Sequence, residues 1–292
     1  MRLFLGLLSL AFSINIFAET KFYGEGHIAF QKNNKASKLI DKGSFIGFKG
    51  AVALDHGLVI THKVELKTDL TQVLGNSLTV QDGFLGIKGD FGEIRMGKHD
   101  FPFEIVDDSL KSVFTHKQSG LISNTDKEAI IAYAKRYGAF ASFVSYTASN
   151  NNKNSVASLM VNHVTGPYYT GVAFLKESGQ KAGGKFVFSI KKPTYHVGFI
   201  HKRCPSNVGA TVVEINQGEC SRLGGDRVNN ISGVYRFGQS SISAQLAKNN
   251  KTNIKKHSLE LSYSLGKSTK FYLGLDKTAN KNASSIGLLT RF

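Results

Sequence analysis

Residues 84–108 read FLGIKGDFGEIRMGKHDFPFEIVDD and combine a β-hairpin with the start of an acidic loop. Leu85 and Ile87 alternate with small and polar positions, and the Gly-Asp-Phe-Gly run that follows predicts a turn into a second strand. The alternation stops shortly before Pro102, which lacks a backbone donor. We therefore predict a long loop over 100–126, and loops of that length without periodicity are more often functional than idle. Its first part carries the acids Asp100, Glu104, Asp107 and Asp108.

The composition is that of a β-rich chain with many tight turns. Its 292 residues include 30 glycines, 4 prolines, no tryptophan, 21 phenylalanines and 10 tyrosines. A net charge of +16 first suggests a nucleic-acid partner. However, the 37 Lys and Arg are dispersed along the chain, without a clustered basic helix or zinc-finger spacing. We therefore expect no nucleic-acid partner. The length of the chain suits one all-β domain.

The N-terminal stretch 1–18, MRLFLGLLSLAFSINIFA, has the layout of a secretory signal peptide. It has one basic residue, an apolar run and a small residue before the polar change at Glu19. A transmembrane anchor is the alternative, but the apolar run is shorter than the ~20 residues that a spanning helix needs. We expect a cleaved signal peptide followed by one barrel domain over 19–292, so membrane residence has to come from strands.

The chain contains two cysteines, Cys204 and Cys220, and both lie in the polar segment 203–226. In an exported chain such a pair is expected to form one disulfide that closes a surface loop. Two free thiols remain an alternative. A metal pair is less favoured because no histidine or third cysteine lies at ligand spacing. We expect neither a metal nor a cofactor.

Period-2 alternation recurs along the chain and predicts sixteen strands, the first at 22–32 and the last at 283–292. Each strand has one apolar face and one face of Ser, Lys, Glu, Asn or Gly. Tight turns alternate with longer polar segments, which is the asymmetry of a transmembrane antiparallel β-barrel. A secreted sandwich or adhesin is the alternative, but a sandwich of this size needs a large shared apolar core.

Four segments together carry a family resemblance: FYGEGHIAF at 22–30, GSFIGFKGAVALDHGL at 43–58, FLGIKGDFGEIRMGKHD at 84–100 and GLLTRF at 287–292. In that order they resemble strands of the general diffusion porins of Gram-negative outer membranes, in particular the compact proteobacterial branch. The resemblance implies a sixteen-stranded barrel, usually a homotrimer, with the third external loop folded inward. It also implies that barrel assembly machinery reads the last strand, with Phe292 as the terminal signal.

The resemblance further implies a pore constriction, in which acids on the inward loop face bases on the wall. The matching acids are Glu104, Asp107 and Asp108, and the matching bases are Lys98 and Lys49. Two positions depart from the enterobacterial members of the family. Phe45 occupies the place of a wall arginine, and Glu25 occupies the place of a lysine.

Strand alternation independently assigns residues to the lumen. If the apolar faces point outward, the inner wall carries Glu25, Lys63, Lys67 and Lys88, together with Lys49, Lys270, Glu65, Asp69, Glu260 and Asp276. The five lysines outnumber Glu65, Asp69, Glu260 and Asp276, so we expect a mild preference for anions. The alternative is that much of the positive charge lies on loops and contacts lipopolysaccharide phosphates.

We therefore expect a water-filled channel of the outer membrane for passive diffusion of ions and small hydrophilic solutes. A substrate-specific channel, or a surface receptor or adhesin on the same barrel, is the alternative. Catalysis is not expected, because His257 and Ser258 are adjacent on a strand and point to opposite faces. The chain also lacks a Gly-x-Ser-x-Gly elbow.

Overall fold

The computed structural model describes residues 20–33, 36–72, 78–115, 130–148, 154–204, 226–278 and 281–292. The predicted signal peptide 1–18, Cys220 and the part of the predicted loop beyond 115 lie outside these residues. No helix in the described ranges is long and apolar enough to cross a membrane.

Antiparallel strands make up almost all of the described chain. The strands are β1 (Lys21–Asn33), β2 (Ser37–Asp41), β3 (Phe45–Ala53), β4 (Val59–Lys67), β5 (Thr79–Gly89), β6 (Gly92–Lys98), β7 (Ile130–Tyr137), β8 (Phe140–Thr147), β9 (Val156–Thr165), β10 (Tyr168–Glu177), β11 (Gly183–Lys191), β12 (Tyr195–Arg203), β13 (Arg227–Phe237), β14 (Ser240–Asn249), β15 (Lys255–Ser264), β16 (Thr269–Thr278) and β17 (Lys281–Arg291). The helices are α1 (Pro102–Ile105) and α2 (Asp108–Lys111), and a 3₁₀ turn covers Asp55–Gly57.

The sheet closes on itself, because β1 pairs with β17 over a register that places Ile28 opposite Leu288. Both β2 and β3 pair with β1, so they form one barrel strand with an interruption. At the interruption, Asp41 Oδ1 accepts the backbone N–H groups of Gly43 at 2.6 Å and Ser44 at 2.7 Å. Counted in this way, the barrel has sixteen strands, and the prediction is confirmed.

The two faces of the sheet differ in chemistry as the alternation predicts. One face exposes large apolar side chains such as Leu85, Met96 and Leu275. The other buries polar and charged groups, including His27 and Glu260. The second face is the inner one, because the segment that carries α1 and α2 packs against it. An outward apolar band around a polar interior is the arrangement of a membrane barrel.

The connections differ in length between the two ends of the barrel. At one end, here named the tight-turn end, two-residue turns join β7 to β8, β9 to β10 and β13 to β14. Their glycines Gly138, Gly166 and Gly238 have φ of 58°, 54° and 61°, a left-handed conformation that side-chain-bearing residues rarely adopt. The longer connections lie at the opposite end, the long-loop end. This alternation of short and long connections was predicted from the sequence.

Outward aromatic rings gather at the tight-turn end. The ring of Phe22 lies 5.1 Å from that of Phe48 and 5.6 Å from that of Phe292. The rings of Tyr235 and Phe237 are stacked 6.2 Å apart next to another tight turn. Aromatic girdles of this kind occupy the level of the lipid headgroups in membrane barrels.

Candidate functional site

The segment after β6 lies inside the barrel and packs against its wall. Phe101, Phe103 and Val106 are completely or almost completely buried. They contact a patch of apolar residues that interrupts the polar inner face and includes Phe143, Met160, Ala173, Leu175, Val187 and Ile200. Burial of each large side chain contributes roughly 1.5–3 kcal/mol, so this patch provides a driving force for the segment to fold inward.

Hydrogen bonds fix this segment to strands far apart around the barrel. The Phe103 backbone N–H donates to Ser158 Oγ on β9 at 3.0 Å, and the Tyr169 hydroxyl on β10 donates to the Val106 carbonyl at 2.7 Å. Further along, the Thr115 N–H donates to Glu260 Oε1 on β15 at 2.8 Å. The segment 101–115, named here the constriction segment, therefore crosses the bore from β9 to β15.

The three predicted loop acids have different surroundings. Asp107 forms an ion pair with Lys185 on β11 at 3.0 Å, and the Lys185 side chain is only 2% exposed. Lys185 Nζ also lies 4.7 Å from the centre of the Phe103 ring. Glu104 is half-buried and Asp108 is exposed. Asp107 therefore fastens the segment to the wall beneath it, whereas Asp108 is the acid most accessible to the bore.

The two predicted bases lie apart from each other. Lys49 is on the inner face of β3, and its Nζ lies 4.5 Å from the centre of the Tyr23 ring. Lys98 is opposite Gly83, which places it on the same face as Met96, and its Nζ donates to the Val80 carbonyl at 2.6 Å. The structure therefore brings Lys49, but not Lys98, to the inner wall, and a role for either in a constriction stays a prediction.

Other predicted lumen residues lie on inner-face positions of β1, β4 and β5, and Glu260, Lys270 and Asp276 lie on β15 and β16. Lys63 bridges Asp82 at 2.6 Å and Glu65 at 3.1 Å. Glu25 pairs with Arg291 of the last strand at 2.8 Å. Lys67 and Lys88 are exposed and point into the bore by register.

Sequence reasoning missed several charged groups of the inner wall. Arg95 pairs with Glu93 at 2.7 Å, and its guanidinium lies 4.8 Å from the centre of the Phe84 ring. The alternation of Glu93 and Arg95 with Ile94 and Met96 could have identified both as inward-facing. The alternation of Lys185 with Phe186 and Phe188 could likewise have placed Lys185 on the inner face, but it could not identify its partner Asp107, which is 78 positions away along the chain.

The Ser–His pair that was weighed for catalysis is divided between the two faces. Ser258 is buried on the inner face, and its hydroxyl donates to Asp276 Oδ1 at 2.5 Å. His257 is exposed on the outer face, next to Leu246 and Lys277 by register. The two side chains therefore cannot act on one substrate.

Two other predicted sites lie at the margins of the described chain. Cys204 follows β12, is buried, and donates its backbone N–H to the Asp226 carbonyl at 2.8 Å. Its predicted partner Cys220 is outside the described residues, so the disulfide stays a prediction. Phe292 exchanges two backbone hydrogen bonds with Gly24, at 3.0 and 3.2 Å, next to the closing seam. Its role as an assembly signal is untested.

Solved barrels of outer-membrane proteins resemble this structure closely in fold. An anion-selective porin from Comamonas acidovorans superposes with a TM-score of 0.75 at 15% identity, covering 94% of this chain and 100% of that chain. OmpT of Vibrio cholerae, in its trimer form, superposes with a TM-score of 0.74 at 13% identity, covering 94% and 99%. At these identities the likeness establishes the fold.

Sequence comparisons identify relatives over shorter stretches. The major outer membrane protein P.IA of Neisseria meningitidis serogroup C is 24% identical over 130 residues, which cover 42% of this chain and 33% of the relative. The major outer membrane protein P.IB of Neisseria sicca is 33% identical over 79 residues, covering 27% and 22%. The matches thus span a third or less of the length of these relatives.

A family model described as Gram-negative porin matches residues 6–283, which is nearly the whole chain. The match agrees with the closed barrel, its outward apolar band and the unequal lengths of its connections. The chain belongs to the Gram-negative porin family, and its place is the outer membrane.

Proposed function

We propose that this barrel is a water-filled channel through which ions and small hydrophilic solutes diffuse passively across the outer membrane. The observation that carries the proposal is the one-sided docking of the constriction segment. Its anchors lie on β9 to β15, so the charged inner faces of β1 to β5 and of β16 and β17 line the remaining passage. A narrowed but polar passage conducts water and solutes and excludes large molecules.

Conductance in planar bilayers tests the channel directly. Refolded protein is added to a membrane in 1 M salt, and sugars of increasing size are tested in liposome swelling. Stepwise currents and a sharp size limit are expected. Boiled protein serves as the control, since it has lost the barrel. Folded protein that gives no current would contradict the channel and favour a substrate-gated transporter or a surface receptor.

We also propose a mild preference for anions. On the described inner wall, Lys67 and Lys88 are exposed, whereas Glu25, Glu65 and Asp82 all have cationic partners. A solved structural neighbour is described as an anion-selective porin. Reversal potentials in a salt gradient test the sign, and a cation-selective value would contradict the proposal.

Homotrimer formation is a further proposal for this chain. The OmpT structure that shares its fold is described as a trimer. Chemical crosslinking of native protein in detergent should give a ladder that ends at three copies. Single-channel records should then close in three equal steps, whereas a ladder that ends at one copy would contradict the proposal.

Lipopolysaccharide is the lipid partner that the outer surface favours. Outward-facing cations lie in register at the long-loop end, with Arg203 opposite Arg227 on one strand pair and Lys248 opposite Lys255 on another. Such positions suit lipid phosphates. A higher unfolding temperature with lipopolysaccharide than with neutral lipid is expected, and equal temperatures would contradict the contact.

Export is proposed to use a cleaved signal peptide over 1–18, and insertion to use the barrel assembly machinery. N-terminal sequencing of protein taken from the outer membrane tests the cleavage, since the mature chain should begin at residue 19.

Deletion of Phe292 tests the use of the barrel assembly machinery. It should reduce the amount of inserted barrel in cells while leaving refolding in detergent possible.

A further inference from the structure

Four basic side chains form a strip on the inner wall at the tight-turn end, named here the basic strip: Lys191, His196, Arg236 and Lys270. Lys191 on β11 is directly opposite His196 on β12. Arg236 on β13 donates its backbone N–H to the carbonyl of Thr194, two positions before His196. In the other direction the row of opposed residues runs from Arg236 through Ser241 and Ser262 to Tyr272, two positions from Lys270 on β16. The strip therefore runs across several strands at one level of the barrel.

The basic strip lies next to the constriction segment. Ser112 Oγ is 3.4 Å from His196 Nδ1, and the Ser243 hydroxyl donates to the Val113 carbonyl at 2.5 Å on the same wall. Val234 is opposite both His196 and Ser243, so Arg236, two positions further along β13, lies nearer the tight turn than these contacts, whereas Lys191 is level with His196. A solute entering from the tight-turn end therefore meets Arg236 before it meets the constriction.

Acids near the basic strip are already engaged. Glu260, which acts electrostatically on Lys270, accepts the Thr115 N–H at 2.8 Å. Glu25 pairs with Arg291. Within the described ranges, no ion pair of 4 Å or less involves Lys191, Arg236 or Lys270. By contrast, Lys63 on the opposite wall is neutralised by two carboxylates.

Hydroxyl groups complete the surroundings of Arg236. Ser241 is directly opposite Arg236, and Ser262 is directly opposite Ser241. The two serine Oγ atoms are 2.7 Å apart. The inner wall here offers hydrogen-bond donors of a guanidinium, an ammonium and hydroxyl groups, and phosphate oxygens accept such hydrogen bonds. The planar guanidinium can bind two oxygens at once.

We propose that the basic strip is a binding site for multivalent phosphate-type anions, reached from the tight-turn end of the barrel. The site goes beyond a general anion preference and rests on the proposed channel function. Because the site lies near one end of the barrel, the block by such anions should depend on the side from which they are added. A polyphosphate added at the tight-turn side concentrates at the strip and blocks the current, whereas the same anion added at the other side first meets the constriction.

Tripolyphosphate block in planar bilayers tests the site. The test variant is Arg236→Gln with Lys270→Gln, and the control is Lys176→Gln with Lys277→Gln, which removes the same charge from the outer face. Wild type should be blocked at lower tripolyphosphate from one compartment than from the other. The test variant should need about tenfold more tripolyphosphate for the same block, because charge-assisted hydrogen bonds are lost. The control should be blocked at the same concentration as wild type. Arg236→Lys with Lys270→Arg should retain most of the block.

Calorimetric titration of refolded protein with tripolyphosphate separates this inference from the channel function, because binding needs no current. Saturable binding that is lost in the test variant supports the basic strip even if the barrel does not conduct. Block that is equal from both compartments, or a test variant that binds and is blocked like wild type, would overturn the site and leave passive diffusion intact.

Discussion

At the scale of single residues, the inner wall depends on close contacts between glycines and aromatic rings. Tyr272 is completely buried, and its hydroxyl lies 3.0 Å from His27 Nε2. A Cβ atom on Gly287 would lie 2.6 Å from Tyr272 Cε1, which no real contact allows. The glycine therefore makes room for the ring across the strand pair.

We predict that Gly287→Ala displaces Tyr272 and lowers the free energy of unfolding by about 1–3 kcal/mol. Urea unfolding in lipid vesicles, followed by heat modifiability on gels, measures the change. Gly26→Ala is the matched control, because its Cβ would be 3.5 Å from the nearest heavy atom. Equal losses in both variants would show that the ring contact is not the cause.

A second residue-scale prediction concerns the ion pair of Asp107 and Lys185. Lys185→Met should cost about 3 kcal/mol, because it leaves the Asp107 carboxylate without its cation in a mostly buried place. Adding Asp107→Leu should recover most of this loss. A double-mutant cycle on unfolding, with open-channel current noise as a second readout, measures the coupling. Additive effects would contradict a direct interaction.

At the scale of elements, the constriction segment depends on the ring of Phe103, which is 0% exposed. Phe103→Ala should loosen α1 from β9 and β10, and sugars larger than the wild-type limit should then enter liposomes. Phe188→Ala removes an equal ring from the outer face of β11 and should leave the size limit unchanged. An unchanged limit in both variants would mean that other contacts alone hold the segment.

Alternation predicted the strands well because lipid and water impose opposite demands on successive residues. It also predicted the inward placement of Lys63 and Glu25. It did not predict the interruption at Asp41–Ser44, which depends on a carboxylate that accepts two backbone N–H groups. Nor could it predict the anchoring of Asp107. Contacts across the bore are not reflected in the period-2 pattern of the sequence. The pattern also does not distinguish a charged residue that forms an ion pair from one that is exposed to solvent.

At the scale of the whole molecule, lumen charges act together and are screened by salt. The Debye length falls from about 10 Å at 0.1 M to about 3 Å at 1 M ionic strength. The anion preference should therefore weaken as salt rises at a fixed concentration ratio across the membrane. Reversal potentials at several absolute concentrations measure this. A preference independent of salt would point to selection by pore width.

The anchors of the constriction segment also set an order of events in biogenesis. Phe103 and its acceptor Ser158 are 55 positions apart, and Thr115 and Glu260 are 145 apart. Contacts between such distant residues form late, since loop closure has to precede them. Until β15 has joined the sheet the segment lacks its Glu260 anchor, so we expect the constriction to be among the last parts of the barrel to form. The width of the passage is then set at the end of folding, after the strands have paired.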